Sequence, residues 1–172
     1  ALGIDTPLID YLVDSGQLAS REHRYPSGRQ GLVVDTDIPK PLLERLQRAI
    51  TLEKAARRLG IGMARARQFV KAGLLMTFGG TPQPGARWWI DPASFEKFDN
   101  TPLLPTRPQI GVKPVTHFAR YLAMTEKEFT AFARAIVEGD LRAFSPGETP
   151  APFGTWMLGE QVVRIWLKRT QP

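Results

Sequence analysis

Residues 51–73 decide the fold, and they form the stretch TLEKAARRLGIGMARARQFVKAG. Apolar side chains recur at helical spacing on both sides of Gly60-Ile61-Gly62, which predicts helices over 52–59 and 63–72 joined by a tight turn. Thr51 suits the N-cap of the first helix, and Gly73 suits the C-terminal cap of the second. Ile61 is expected to fill the core beneath the turn.

The same pattern occurs three times in the chain. The copies begin with LGI at 59–61, LGI at 2–4 and, more loosely, LAM at 122–124, and their helix patterns end at Gly73, Gly16 and Gly139. Each copy is followed by a predicted hairpin and an apolar helix. Because a repeated unit sets the architecture, we predict an α+β, mainly helical fold of tandem winged helix-turn-helix modules with short two-stranded wings.

The repeats define the expected domain boundaries. Residues 1–49 form a module that lacks its first helix, 50–100 a complete module, and 115–172 a divergent module. Residues 101–114 lie between the last two and are rich in proline, which is typical of a linker. Since the first copy starts directly at its turn, we expect its missing helix to lie in a longer parent protein.

Turn-forming residues and caps place the remaining elements. In the middle copy they predict strands over 74–78 and 87–90 around a tip at 79–85, then a helix capped by Asp91. In the first copy they predict a helix over 6–15 with Ile9, Leu12 and Val13 inward, strands around a tip at 25–28, and a closing helix marked by Leu42. In the third copy they predict a capping box from Thr125 to Glu128, a tip at 145–152 and a closing helix over 162–167.

Composition restricts the classes of function. The 172 residues carry a formal net charge of +6, which favours a polyanionic partner. The chain has no Cys and only two His, His23 and His117, so disulfides and thiolate zinc sites are excluded. No apolar run approaches the roughly 20 residues of a membrane span. We find no catalytic pair, and we expect a non-enzymatic protein without cofactor or metal, cytoplasmic and associated with a bacterial nucleoid.

The second helix of the middle copy is the main candidate for reading DNA, since one α-helix fits the major groove. Ala64, small enough for close approach, lies with Arg67, Gln68 and Lys71 opposite the core positions, and Arg65 lies on the flank. Gln68 suits adenine edges, and the arginines suit guanine or phosphate. Further predicted contacts come from the first helix and the wing, namely Arg57, Arg58 and Arg87.

The first copy differs in the sign of its outward charges. Asp10 and Asp14 stand where Arg67 and Lys71 stand in the middle copy, and phosphates would repel them. Its hairpin is basic instead, and we predict phosphate or minor-groove contacts there. The residues concerned are Arg21, Arg24 and Arg29, with His23 beside them on the surface. The helix of the third copy has a surface of mixed charge, so we predict that it packs within the protein or contacts the DNA backbone only weakly.

Residues 51–98 resemble the small winged helix-turn-helix of excisionase-like and MerR-like proteins. The resemblance rests on LEKAARRLGI at 52–61, AGLL at 72–75, and WID at 89–91 followed by Phe95. It implies a second helix that reads the major groove and a wing that touches the backbone. Tandem copies of this type also resemble the C-terminal part of TniQ-like transposition target selectors, whose zinc-binding N-terminal domain this Cys-free chain lacks.

Three functions remain open. The first is a fragment that recognises duplex DNA through the middle module and positions a larger protein or other subunits, in mobile-element targeting or transcription control. The second is a protein-interaction scaffold of degenerate winged modules, indicated by the acidic helix of the first copy, in which the linker and the Trp-bearing third copy hold a partner protein. The third is a single-strand binder that stacks bases on Trp88, Trp89, Trp156 or Trp166, although these are most simply core residues.

Overall fold

A computed structural model describes residues 5–34, 37–79, 87–106, 110–147 and 150–170 of the chain. The chain is α+β and mainly helical, as predicted, and the described part contains three two-stranded antiparallel sheets. It divides into two compact units, each made of two separate segments. Unit 1 comprises Ala1–Thr51 and Met76–Ala93, and unit 2 comprises Leu52–Leu75 and Ser94–Pro172. Residues 50–100, one predicted module, therefore contribute to both units.

Unit 1 is built around two short helices. Its elements are α1 (Thr6–Asp14), β1 (Ser20–Arg24), β2 (Gln30–Val34), α2 (Lys40–Arg48), β3 (Ile50–Thr51) and β4 (Trp89–Ile90). Both helices carry a proline in the first turn, where a missing N–H costs no hydrogen bond. The core contains Leu8, Leu12, Leu18, Leu42, Leu46 and Phe78.

The inward face of α1 differs by one position from the prediction. Leu8 and Leu12 are buried, whereas Ile9 and Val13 are half-buried. Helical spacing alone allows an inward face that contains either Leu8 or Ile9 beside Leu12. Packing with Leu42 and Leu46 of α2 in one core selects Leu8. Asp10 is exposed, as predicted.

The hairpin β1–β2 follows the predicted strands and tip. Five residue pairs join its strands, from Ser20–Val34 to Arg24–Gln30. The Tyr25 amide donates to the Arg29 carbonyl at 2.8 Å. The Tyr25 ring lies over Gly31 so closely that a Cβ there would be 3.0 Å from it, and the His23 ring meets Tyr25 edge-on at 4.8 Å. The tip is thus held by its own side chains while the whole of β1 after Ser20 is exposed.

Asp91 joins two segments of unit 1. Its side chain is buried, forms an ion pair with Arg45, and accepts a hydrogen bond from the Ala93 amide at 3.0 Å. The Asp91 amide donates to the Met76 carbonyl at 2.8 Å. Asp91 therefore caps the following turn, as predicted, although that turn is a 3₁₀ helix (Pro92–Phe95) that leads into α5 (Glu96–Asp99).

We expect Asp91→Ala to lower the free energy of unfolding by about 2 kcal/mol, because it removes both a cap and the partner of a charged group. Urea denaturation followed by circular dichroism measures this. Arg45→Ala should also destabilise, since it leaves a buried carboxylate without its cation. Arg48→Ala, an exposed arginine of the same helix, should stay within about 0.5 kcal/mol of the parent. Equal stability of the two arginine variants would contradict this role for Asp91.

Unit 2 contains the two helices of the deciding stretch and the whole third copy. Its elements are α3 (Leu52–Leu59), α4 (Met63–Lys71), α5, β5 (Val112–Pro114), α6 (Val115–Tyr121), α7 (Glu126–Val137), β6 (Met157–Gly159) and α8 (Glu160–Thr170). The turn between α3 and α4 buries Ile61, as predicted. The predicted capping box is confirmed: Thr125 Oγ1 accepts from the Glu128 amide at 3.2 Å, and Glu128 accepts from the Thr125 amide at 2.8 Å.

Aromatic rings form the centre of unit 2. Phe69 of α4 is fully buried and nearly parallel to Phe98 and Phe129, with ring centroids 6.1 and 5.5 Å away. Phe153 meets Phe69 edge-on at 5.9 Å and Trp156 at 5.2 Å. Such pairs stabilise by about 0.5–1.5 kcal/mol each beyond the burial of their area. The cluster holds α4, α5, α7 and the loop before β6 together.

The strand pairings differ from the predictions. β4 pairs with β3, which was not predicted, and residues 74–75 are buried without forming a strand. Of the predicted strand over 74–78, Thr77 bridges to Ile90 and the Phe78 amide donates to the Trp89 carbonyl at 3.0 Å. Most of the predicted tip at 79–85 lies outside the described residues. β5 lies within the predicted linker and pairs with β6. Strands of two or three residues show no alternation that a sequence pattern could detect.

The close approach of two glycines offers a test of packing in unit 2. A Cβ on Gly154 would lie 2.1 Å from the Gly60 carbonyl oxygen. We expect Gly154→Ala to lower the free energy of unfolding by about 2 kcal/mol, because backbone cannot give way as a flexible side chain can. In Gly159→Ala the new methyl would meet only Val162, at an ordinary 3.6 Å, so thermal unfolding should be nearly unchanged. A Gly154 variant as stable as that control would overturn the argument.

Candidate nucleic-acid interface

One line of exposed side chains runs along α4. Ala64, Arg67 and Lys71 are spaced by three and four residues, so they share one side of the helix. In the described part of the chain, Arg67 has neither an ion-pair nor a hydrogen-bond partner. Lys71 Nζ lies 3.7 Å from Glu126 Oε1, and both side chains remain largely exposed. We refer to Ala64, Arg67 and Lys71 together as the α4 stripe.

Arg65 does not point outward with the α4 stripe. Its guanidinium donates to the Met124 carbonyl at 3.0 Å and to Gln68 Oε1 at 2.9 Å, and it lies 4.5 Å over the Phe129 ring. Arg65 and Gln68 are both half-buried. Both residues were predicted to contact bases or phosphate. In the structure Arg65 packs between α4 and the start of α7, and Gln68 accepts one of its hydrogen bonds.

The end of α3 adds two exposed arginines, each with a carboxylate partner. Arg57 pairs with Glu53 one turn earlier, and Arg58 pairs with Asp99 at 2.7 Å while lying 4.2 Å over the Phe95 ring. Exposed pairs of this kind contribute little to stability, typically about 0–1 kcal/mol. Because the attraction is weak, a phosphate could replace either carboxylate with small loss.

Helix α7 covers one flank of α4. Besides the Phe69–Phe129 contact, Arg134 donates to the Ala72 carbonyl at 2.8 Å at the end of α4. The ion pair of Lys71 with Glu126 lies on the same flank. The exposed residues of α4 are thus Met63, Ala64, Arg67 and Lys71.

Unit 1 carries the other predicted cations. Arg21, Arg24 and Arg29 are exposed on the hairpin β1–β2, where Glu22 is the one acidic residue of the described strands. Strand alternation places Arg21 with His23 on one face and Arg24 on the other. Arg87, predicted to act with α4, is exposed but belongs to unit 1. The predicted DNA-binding set is therefore divided between the units.

Other kinds of site are not found in the described residues. Among the described residues, no group of three or more His, Asp and Glu side chains could hold a metal ion. Nor does any described helix have the length and apolar character needed to cross a membrane.

Comparison with known proteins returns no match. No family model, curated protein or solved structure matches the chain.

The sequence did not predict the carboxylates that pair with Lys71 of the α4 stripe and with Arg58 of α3. Glu126 and Asp99 come from segments distant in sequence, and no local spacing pairs them with Lys71 or Arg58. Tertiary packing alone brings them there.

The placement of Arg65 predicts a stability effect. We expect Arg65→Ala to lower the free energy of unfolding by about 1–2 kcal/mol, since it loses a hydrogen bond to a carbonyl and a cation–π contact. Arg67→Ala, two residues on and exposed, should change it by less than about 0.5 kcal/mol. Chemical denaturation of both variants compares them directly, and a neutral Arg65 variant would contradict the packing role.

Proposed function

We propose that the chain binds duplex DNA through the α4 stripe of unit 2. The observation that carries the proposal is Arg67, a fully charged side chain that is exposed and without a partner in the described part of the chain. It lies on the second of two helices joined by a tight turn, with cations on both sides along the surface. A chain of net charge +6 favours such a polyanionic partner.

The side chains of the stripe suit a major groove in different ways. Ala64 has little bulk, so the helix can approach the base edges there. Arg67 has a planar fork of donors that matches guanine edges or phosphate oxygens. Lys71 can exchange the Glu126 carboxylate for a backbone phosphate, as Arg57 and Arg58 can exchange theirs. Phosphate contacts would position the helix, and Arg67 would supply most of the sequence reading.

The hairpin β1–β2 supplies a second cationic surface within unit 1. A two-stranded ribbon that exposes Arg21, Arg24 and Arg29, with Arg21 and Arg24 on opposite faces, suits phosphates or a narrow minor groove, where arginine is favoured. Bound in this way, the chain would place a larger protein or other subunits on DNA. Mobile-element targeting and transcription control are the processes that such positioning serves.

A scaffold for protein partners is the second candidate. It is favoured by the packing of α7 over one flank of α4, where Arg65 is half-buried and bonded to the Met124 carbonyl and to Gln68. It is also favoured by the carboxylates that already pair with Lys71, Arg57 and Arg58. Under this function the chain would not be retained on duplex DNA even at low salt.

We expect the double variant Arg67→Ala/Lys71→Ala to bind duplex DNA at least about tenfold more weakly, and to reduce the slope of log affinity against log salt by about 1–2. Fluorescence anisotropy with a mixed-sequence duplex over a salt series measures both quantities. Lys168→Ala/Arg169→Ala is the matched control, because it removes the same charge from exposed positions of α8.

Three outcomes separate the candidates. Selective loss in the α4 variant supports DNA binding through the stripe. Equal loss in both variants would mean that only net charge matters. Absence of binding by the parent at low salt would reject the proposal in favour of the scaffold.

A further inference from the structure

The exposed face of α8 combines aliphatic side chains with positive charge. Val163 is fully buried, and Trp166 and Leu167 beside it are half-buried, so they fix the inner side of the helix. On the outer side, Val162 is 53% exposed and Ile165 is 45% exposed. These two lie about one turn apart on the same side. Neither contributes to the core of unit 2.

Two further exposed apolar side chains lie beside α8. Ile110, fully exposed in the turn before β5, lines the same shallow depression as Val162. Tyr121, 61% exposed at the end of α6, lies beneath the Arg164 guanidinium at 5.6 Å from the ring centroid. Half of the large apolar side chains exposed in the described residues are therefore gathered around α8. Single exposed apolar residues are common, but a cluster marks an interaction surface.

The charges around the cluster have one dominant sign. Lys168 and Arg169 are exposed at the end of α8, and no ion pair involves either of them in the described part of the chain. Glu160 is the one carboxylate of the helix and is occupied by Arg164, at 2.8 Å. Hydrogen bonding to Glu160 raises the pKa of Arg164, so this guanidinium stays charged. A partner for this face must bring apolar side chains and negative charge together.

We propose that the α8 face, defined as Val162, Ile165, Lys168 and Arg169, binds an acidic amphipathic helix of a partner protein. Such a helix would place aliphatic residues on Val162 and Ile165 and carboxylates against the cations. A second copy of this chain is disfavoured, since two such faces would bring like charges together. A nucleic acid would satisfy the cations but leave the aliphatic side chains without an apolar partner. This surface is separate from the α4 stripe and does not depend on DNA binding.

The test uses the full chain and a labelled synthetic peptide of about 18 residues, which is long enough to become helical. The peptide carries Leu at i, i+3, i+4 and i+7, so that they form one face, and Glu on the other face. A peptide of the same composition with scattered Leu controls for amphipathicity. Fluorescence anisotropy should show binding of the first peptide only. Val162→Ser/Ile165→Ser should weaken that binding about tenfold, as should Lys168→Glu/Arg169→Glu.

Controls keep this test apart from that of the DNA proposal. Arg67→Ala/Lys71→Ala should bind the peptide like the parent, and circular dichroism should show all variants folded, because every substituted side chain is exposed. Equal binding of both peptides, or unchanged binding by the Val162/Ile165 variant, would overturn the proposal. A dimer that the same variant abolishes in sedimentation equilibrium would assign the face to a second copy. Duplex affinity lost in the Lys168/Arg169 variants but kept in Arg67→Ala/Lys71→Ala, without any peptide binding, would assign it to nucleic acid.

Discussion

The burial of Phe69 is the constraint on which unit 2 depends. Its ring is nearly parallel to those of Phe98 and Phe129, so the rotation of α4 about its axis is fixed. One consequence is that Arg65, one turn earlier, meets α7 rather than solvent. Another is that Arg67 is left outside. The same contact thus determines both the stability of the unit and the side of the helix that a ligand can reach.

Much of the local structure could be predicted from the sequence, because its causes are local. The limits of α3, the burial of Ile61 and the capping box at Thr125 follow from spacing and from side chains within one turn. The hairpin tip around Gly28 follows from turn chemistry.

What could not be predicted depends on residues far apart in the chain. The pairing of β3 with β4 joins positions about 40 residues apart through only two residue pairs, Ile50–Ile90 and Thr51–Trp89. The candidate site shows the same limit: Ala64, Arg67 and Lys71 are exposed as their outward spacing predicts, but Gln68 is half-buried, and the carbonyl that Arg65 contacts from the flank of the helix was not predicted. A helical wheel gives the direction of a side chain, whereas the surface that covers it comes from another segment.

The chain passes from one unit to the other three times, after Thr51, after Leu75 and after Ala93. The predicted repeats and the two units are consequently out of phase, since the predicted middle module, residues 50–100, contributes α3 and α4 to unit 2 but β3 and β4 to unit 1. A duplication or swap of that copy would alter two hydrophobic interiors at once. Such a chain can diversify through its surface residues far more readily than by gain, loss or shuffling of whole repeats.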